Sequence, residues 1–499
     1  MTFKLQLALC AIAATVLPTL AGAISVDMSG NYRFEYNTLN SAFMSGSSGD
    51  YGRRDYFLNH LNLTAKVIPM DSISIVSNFE VFPNSRYPGS ALGNDFGAGT
   101  ANSATYPSGS IGQSELSANY LEINQLYMTW SQDYGGLMVG RVPLQFGLGM
   151  THSAGNGLFD HWVENHDLVA YKVIMGNLYI MPMIGRVSNG YGFAAGSQGT
   201  EIILNADYTN PEVDATFAIM HEIRSAGQAA NDAGRFFAPY EANQTTGSAV
   251  IGALSTTLTS IYYAKGWDRF RLRVEAGFMS GNTGIQYTSY NGGSSTGTAQ
   301  VGSNPISLSG YGVAVEADFL NPESKWNWSW RTGIASGDNP QTQNFEGFFF
   351  NRNYNIAMLL FNQPLGSYDA LRTNLGRQRQ PGTSYPYSVY SNDQTADEDY
   401  LSNAIYLSPK FDYQISDRWT WNNTLAYAIT QTNPSYSQSG VGSDLGVEYD
   451  VGVTYKPTSR FQWVTQAGLF SPGSVWKEGS ANRDTIFVWG WQSKFGISF

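Results

Sequence analysis

The chain has 499 residues, of which 13% are charged, 14% are aromatic and 53 are glycine. Acidic residues outnumber basic ones by 39 to 28, which argues against nucleic acid as a partner because phosphate binding needs a surplus of Lys and Arg. Low charge combined with many aromatic residues is unlike an ordinary soluble domain and is typical of a membrane β-barrel.

The first residues have the features of a secretory signal peptide. Lys4 precedes an apolar run from Leu5 to Val16, and Ala21-Gly22-Ala23 places small residues where a signal peptidase cleaves. We therefore predict a signal peptide over residues 1–23 and a mature protein over residues 24–499. Beyond the signal, no apolar run approaches the roughly 20 residues of a spanning helix, so a closed sheet is the remaining way to satisfy the backbone in lipid.

Short turns alternate with long polar loops along the rest of the chain. The predicted turns are Pro69-Met70-Asp71, Gly135-Gly136, Gly176-Asn177, Asn210-Pro211, Gly266-Trp267, Asn321-Pro322, Ser416-Asp417 and Pro457-Thr458. The predicted loops are residues 38–55, 84–118, 148–166, 189–199, 224–247, 281–305, 337–398, 431–443 and 471–484. Eight turns and nine loops predict an all-β fold, a transmembrane antiparallel barrel of about 18 strands (about 16 to 20) with periplasmic turns and extracellular loops.

Several strands alternate clearly enough to assign their two faces. Between Arg269 and Phe278 one row is apolar and the other carries charges, and Arg on a lipid-facing row at mid-bilayer costs about 2–4 kcal/mol, so we place the charged row inside. The predicted pore-lining residues are Arg33, Glu35, Glu80, Glu122, Arg141, Arg271, Arg273, Glu275, Glu316, Asp318, Arg331, Glu448 and Asp450. Side chains do not fill a barrel of this width, so the charges imply water inside. The alternative is that the charges pair across strands and fill space.

The loop 337–398 is a predicted constriction or plug. It contains Phe348, Phe349, Phe350 and Arg352, followed by the apolar run 356–361. A loop this long in a structured protein is usually functional, and its apolar parts need a surface to bury against. Folding into the pore would provide that surface. The alternatives are an external cap on neighbouring loops and a further strand pair.

Three of the five histidines lie in one loop, near several acidic residues. Imidazole with carboxylate suits zinc and its neighbours, and the nearest pair, His161 and His166, are the candidate metal ligands. Their spacing of five differs from the helical spacing of zinc proteases, and no nucleophile elbow surrounds Ser153. We therefore expect no catalytic site, no resident metal and no cofactor, and we treat this segment first as an ordinary loop.

The last strand alternates strictly. Trp489, Trp491, Phe495, Ile497 and Phe499 share one row, interrupted only by a serine, and the intervening residues are small or polar. This pattern, ending in phenylalanine, is typical of the final strand of an outer-membrane barrel. It predicts recognition by the barrel assembly machinery through this strand.

One stretch resembles a known family. The run 140–150 reads Gly-Arg-Val-Pro-Leu-Gln-Phe-Gly-Leu-Gly-Met, and it is followed by Gly155-Asn156-Gly157 and Asp160. These residues resemble a signature in a poorly characterised family of large bacterial outer-membrane barrel proteins. The strand count and the terminal strand are also similar to alginate-export barrels and substrate-specific porins of Gram-negative bacteria, although the interior here is not dominated by arginine.

The leading functional hypothesis is a porin of the cell outer membrane, a passive diffusion channel for ions and small hydrophilic solutes that carries out no enzyme chemistry. Its expected surroundings are outer-membrane lipid, with a homotrimer as an open possibility by analogy with porins. The alternatives are a sugar or oligosaccharide transporter or exporter, a barrel enzyme acting through the histidine loop, and a surface-recognition protein.

Overall fold

A computed structural model describes residues 24–41, 44, 54–81, 121–188, 198–226, 250–251, 254–286, 305–337, 344–363, 401–432, 442–477, 482 and 484–499. These residues form one antiparallel sheet of twenty strand segments. In chain order the segments are β1 (Ser25–Leu39), β2 (Arg54–Met70), β3 (Ile73–Val81), β4 (Leu121–Gln132), β5 (Gly135–Pro143), β6 (Asn165–Met175), β7 (Leu178–Ser188), β8 (Gln198–Asn210), β9 (Ala215–Ala226), β10 (Val250–Ile251), β11 (Leu254–Trp267), β12 (Phe270–Gln286), β13 (Pro305–Leu308), β14 (Tyr311–Phe319), β15 (Trp326–Ala335), β16 (Ala404–Gln414), β17 (Trp419–Ile429), β18 (Asp444–Thr458), β19 (Phe461–Pro472) and β20 (Val488–Ser498).

The sheet closes on itself as a barrel of eighteen strands. Segments β10 and β11 both pair with β12 and count as one interrupted strand, and so do β13 and β14. The first strand pairs with the last, from Asn31 opposite Ser498 to Leu39 opposite Gly490. The predicted all-β barrel and its strand count are therefore confirmed.

Eight short turns join consecutive strands at one end of the barrel, and each lies on or directly beside a predicted turn. The residues 211–213 form a 3-10 turn in the connection after β8, where the side chain of Asn210 accepts a hydrogen bond from the Glu212 N–H. The nine longer connections join strand ends at the opposite end of the barrel. The predicted signal peptide and large parts of the predicted long loops lie outside the described residues.

The outer surface is apolar where it faces away from the barrel axis. Ile184, Ile202 and Leu204 on neighbouring strands are each about half exposed, as are Trp328 and Trp330 beside the short turns. Exposed rows of this kind suit a hydrocarbon environment, with tryptophan at its interface. Among the described residues, no helix has the length and apolar character to cross a membrane.

The largest buried apolar cluster lies inside the barrel, where parts of two loops pack against the inner wall. Phe348, Phe350 and Leu359 belong to this cluster. Glycines on the wall make room for them: a Cβ on Gly312 would lie 2.6 Å from Cδ1 of Phe348. The core of the molecule is therefore built between loop and wall, not between two sheets.

Candidate functional site

The segment 144–164, called here the first inner loop, folds into the barrel between β5 and β6. The carboxylate of Glu275 on the inner wall anchors it by accepting four hydrogen bonds. They come from the N–H groups of Leu148 (2.7 Å), Met150 (3.2 Å) and Thr151 (2.9 Å) and from the Thr151 hydroxyl (2.8 Å). Gly147 has φ of +47°, and a Cβ there would lie 2.8 Å from Oε2 of Glu275. Glycine is thus required both for the backbone turn and for the close approach.

The far end of the first inner loop binds to β1 on another part of the wall. Arg33 donates a hydrogen bond to the carbonyl of Asp160, and Nε2 of His161 lies 2.9 Å from Oε1 of Glu35. Arg33 and Glu35 also form an ion pair of 3.4 Å. Since Glu275 and Glu35 belong to different strands, the loop is held at two separated points.

The segment 344–363, called here the second inner loop, is anchored in the same way. Glu448 accepts hydrogen bonds from the N–H groups of Leu359 (2.6 Å) and Leu360 (2.7 Å), and Asp450 accepts one from Met358 (2.9 Å). Two further wall residues complete the attachment, since Arg331 donates to the carbonyl of Asn355 (2.5 Å) and Ser408 to that of Ile356 (2.7 Å). Buried backbone groups of the loop thus find partners on the wall.

The two inner loops contact each other within the barrel. The side chain of Asn353 accepts from the N–H of Trp162 (3.1 Å) and donates to its carbonyl (2.7 Å). The guanidinium of Arg352 lies 3.9 Å from the centre of the Trp162 ring, close enough for a cation–π interaction. Because each loop is also fixed to the wall, together they reach across part of the lumen.

A cavity of about 300 Å³ lies beside this contact. Its walls combine aromatic, acidic and basic groups from both inner loops and from β9, β11 and β12. The lining residues are Thr151, His152, Trp162, Val163, Glu164, Glu222, Arg224, Thr256, Thr257, Leu258, Met279, Phe348, Phe349, Phe350, Asn351 and Arg352.

Histidines and carboxylates gather at one side of the cavity. Nε2 of His152 lies 3.1 Å from Glu222 and 3.8 Å from Glu164, and Nε2 of His166 lies 3.4 Å from Glu164. Nδ1 of His166 lies 2.7 Å from Glu201. The backbone bond from the Glu164 N–H to the Ser153 carbonyl (3.2 Å) folds the loop back on itself and brings these residues together.

The charges in this cluster shift the pKa values of its two loop residues, His152 and Glu164. Burial raises the pKa of the Glu164 carboxyl, but His152 and His166 outweigh burial and lower that pKa to about 2. Burial lowers the pKa of His152, but Glu164 and Glu222 outweigh it and the net pKa is raised. The loop part of the cluster is therefore strongly ionic.

Most of the predicted pore-lining charges lie inside the barrel, and six of them bind an inner loop: Arg33, Glu35, Glu275, Arg331, Glu448 and Asp450. Others pair along the wall. Arg273 contacts Glu316 (2.9 Å) and Asp318 (2.8 Å), and Glu80 contacts His60 (3.5 Å). The wall charges are thus largely engaged in protein contacts.

Two further predicted lining residues are Arg271 and Glu122. Arg271 lies at the turn end of β12, 3.5 Å from Asp214. The side chain of Glu122 lies outside the described residues.

The prediction for Arg141 is corrected by the structure, since this residue lies on the outer face, half exposed and paired with Asp167 at 2.7 Å. Its neighbour Val142 is the one that points into the buried interior. Arg141 is near the loop end of β5, where the cost of a lipid-facing arginine falls to about 0–1 kcal/mol.

The described part of the predicted constriction loop lies inside the barrel. Phe348, Phe350 and Arg352 are buried, and Phe349 stacks on Phe345 with ring centroids 6.0 Å apart. The candidate metal pair is not brought together as predicted: His161 binds Glu35, whereas the partner of His166 in the cluster is His152.

Sequence reasoning missed Glu201, Glu222 and Arg224, which complete the histidine cluster. Arg224 pairs with both glutamates, at 2.8 Å from Glu201. The signal was present, because Glu222 and Arg224 alternate with lipid-facing Ile223, and Glu201 precedes exposed Ile202 in the same way.

Comparison with known proteins identifies the fold. The structure resembles Pseudomonas aeruginosa OccK9 (OpdG), with a TM-score of 0.50, 10% sequence identity and coverage of 96% of this chain and 100% of that chain. P. aeruginosa OccK8 (OprE) has a TM-score of 0.48 and 9% sequence identity, with coverage of 96% of this chain and 99% of that chain. A BenF-like porin from P. fluorescens Pf-5 has a TM-score of 0.46 and 10% sequence identity, with coverage of 95% of this chain and 99% of that chain. No protein-family model matches the sequence, and no curated protein matches it. The likeness to OccK9 shows a shared outer-membrane barrel fold.

Proposed function

We propose that this protein is a porin of the outer membrane, through which ions and small hydrophilic solutes diffuse past a constriction made by the two inner loops. The observation that carries the proposal is the anchoring of both loops to the inner wall and to each other, at Asn353 and Trp162. A plug that leaves the barrel would not need such attachments, whereas a permanent constriction does.

The dimensions of the barrel support a water-filled path. Eighteen strands enclose more space than wall side chains fill, and here segments of loop occupy part of it. Polar groups also lie on the inner wall: the side-chain amide of Asn78 donates hydrogen bonds to Asn62 (2.6 Å) and to Thr64 (2.9 Å). Polar residues are costly in a dry apolar interior, so their presence favours water there.

The cavity beside the loops supports selection by size and by polarity. Glu164 and Glu222 bring negative charge to its lining, and Arg224 and Arg352 bring positive charge. Groups of both signs in a narrow, low-dielectric passage favour small polar solutes over large apolar ones. The proposal involves no bond chemistry and no cofactor.

A sugar-selective channel is the second candidate, and aromatic residues favour it. Trp162, Phe348 and Phe349 line the same cavity, and aromatic faces bind the apolar faces of sugars. The two candidates differ in one property: a sugar that binds at the aromatic residues interrupts the ion current, whereas a freely diffusing sugar does not.

The same proposal includes export and assembly. Residues 1–23 would direct secretion. The barrel assembly machinery would recognise β20 and the terminal Phe499, whose backbone N–H and carbonyl form hydrogen bonds with the backbone of Gly30. Outer-membrane lipid would surround the apolar belt. Assembly as a homotrimer is part of the proposal to be tested by cross-linking.

Planar-bilayer recording tests the function. Protein refolded in detergent and added to one chamber should give discrete, lasting conductance steps, and reversal potentials across a salt gradient should report the ion preference. Adding maltose or its oligomers then separates the two candidates by the presence or absence of current block. Correctly folded protein that gives no conductance would overturn the channel proposal and favour a surface-recognition role.

A further inference from the structure

Three side chains of the histidine cluster direct ligand atoms toward one point. Oε1 of Glu164 lies 3.4 Å from Nε2 of His166 and 3.8 Å from Nε2 of His152, and the three candidate ligand atoms all lie within 4.8 Å of one another. Zinc bonds of about 2.0–2.2 Å place the ligand atoms of a tetrahedral site about 3.4 Å apart. The observed spacing is therefore close to that of a metal site before the ligands draw together.

The orientation of His166 is that of a supported metal ligand. Its Nδ1 lies 2.7 Å from a carboxylate oxygen of Glu201, while its Nε2 is buried and makes no hydrogen bond to any described residue. Carboxylates commonly hold ligating histidines through the nitrogen that does not bind the metal. Glu201 is in turn held by Arg224, so the support extends one residue further.

The charge of the cluster suits a dication. The carboxylates of Glu164, Glu201 and Glu222 each contact a histidine of the cluster. The guanidinium of Arg224 pairs with two of them, Glu201 and Glu222. With the imidazoles neutral, as metal ligation requires, the balance is −3 + 1 = −2. A bound divalent ion would then offset this charge in place of protons on the two imidazoles.

The cluster is also reachable. His152, Glu164 and Glu222 line the 300 Å³ cavity, so an ion that enters the cavity meets their side chains. Arg352 lies in the same lining but is stacked on Trp162. The cavity leaves room for an exchangeable ligand beside the protein ligands.

We propose that His152, Glu164 and His166, with Glu222 as a fourth ligand, bind one divalent transition-metal ion of the zinc class inside the barrel. Imidazole with carboxylate suits zinc, copper, nickel and iron, whereas magnesium and calcium prefer oxygen ligands alone. Glu201 is the positioning residue of His166. The site is independent of the porin proposal, because it concerns binding and not permeation.

Isothermal titration with Zn²⁺ tests the site on detergent-solubilised protein that has first been treated with EDTA. Wild type should bind one equivalent of Zn²⁺ and should not bind Mg²⁺ at the same concentration. His152→Ala, His166→Ala and Glu164→Gln should remove most of the heat. Glu201→Gln should weaken affinity about 10- to 100-fold, the effect expected for loss of a carboxylate that orients a ligand.

A histidine outside the cluster serves as the control. His221→Gln changes a histidine that contacts Thr259 at 2.9 Å. This variant should bind Zn²⁺ as wild type does. Far-UV circular dichroism verifies that each variant is folded. The proposal is overturned if folded wild type takes up no Zn²⁺, or if His221→Gln loses as much affinity as His166→Ala.

Discussion

Replacing Glu275 with glutamine would test whether the first inner loop is held by a single carboxylate. Oε2 accepts hydrogen bonds from the N–H groups of Leu148 and Met150, and Oε1 accepts from the N–H and hydroxyl of Thr151. Glutamine has nearly the same size, but one oxygen becomes an NH₂ group that only donates. Two of the four bonds are therefore lost, and two donors then face each other.

The size of the effect follows from those two bonds. Hydrogen bonds to a charged acceptor contribute about 1.5–3 kcal/mol each, so Glu275→Gln should weaken loop attachment by about 3–6 kcal/mol. Since about 1.36 kcal/mol corresponds to a factor of ten in population, the detached state of the loop should be populated at least roughly a hundredfold more in Glu275→Gln than in wild type. The contacts at Arg33 and Glu35 remain, so the loop should swing about that end and the barrel should stay closed.

Single-channel recording would detect the change as a larger mean conductance and more current noise in Glu275→Gln than in wild type. Asp318→Asn is the matched control, because Asp318 pairs with Arg273 on the wall and binds neither inner loop among the described residues. Equal conductance and noise in folded Glu275→Gln and wild type would refute the anchoring argument, and an equal rise in Asp318→Asn would attribute the effect to lumen charge alone.

Three other predictions concern the same interior. Gly312→Ala should lower stability by about 1–3 kcal/mol in urea unfolding, because its Cβ would overlap the ring of Phe348. Burial and neighbouring cations lower the pKa of His161 despite its carboxylate partner, so the contribution of His161 to stability should be lost as pH falls below the usual histidine pKa. His161→Gln should therefore make the free energy of unfolding less dependent on pH in the acid range. Arg352→Ala should raise conductance, because it removes the side chain stacked on Trp162 and enlarges the cavity; an unchanged current in Arg352→Ala would place the constriction elsewhere.

The strands and turns could be predicted from sequence because both signals are local. Period-two alternation assigns the faces, and Gly, Pro, Asn and Asp mark the turns within a few residues. The error at Arg141 has a physical origin. The prediction places every charged side chain on the inner face of its strand. That rule holds at mid-bilayer and weakens near the end of a strand, where Asp167 also provides a partner for Arg141.

The interior contacts could not be predicted because their partners are far apart in the chain. Glu275 and Thr151 are separated by 124 positions, and Glu448 and Leu359 by 89. Sequence proximity also misled the choice of histidines. His161 and His166 are neighbours in sequence, but the loop folds back so that His152 approaches His166, with ring centroids 6.0 Å apart.

The anchoring contacts change how charge in the lumen should be interpreted. Acidic residues outnumber arginines on the predicted inward rows, but the carboxylates of Glu275, Glu448 and Asp450 are directed at backbone N–H groups and are buried by the loops they hold. A charge that is covered and hydrogen-bonded exerts less influence on a passing ion than one on the open wall. The selectivity of such a channel therefore depends more on the loop residues at the cavity, such as Glu164 and Arg352, than on the wall residues that fix those loops in place.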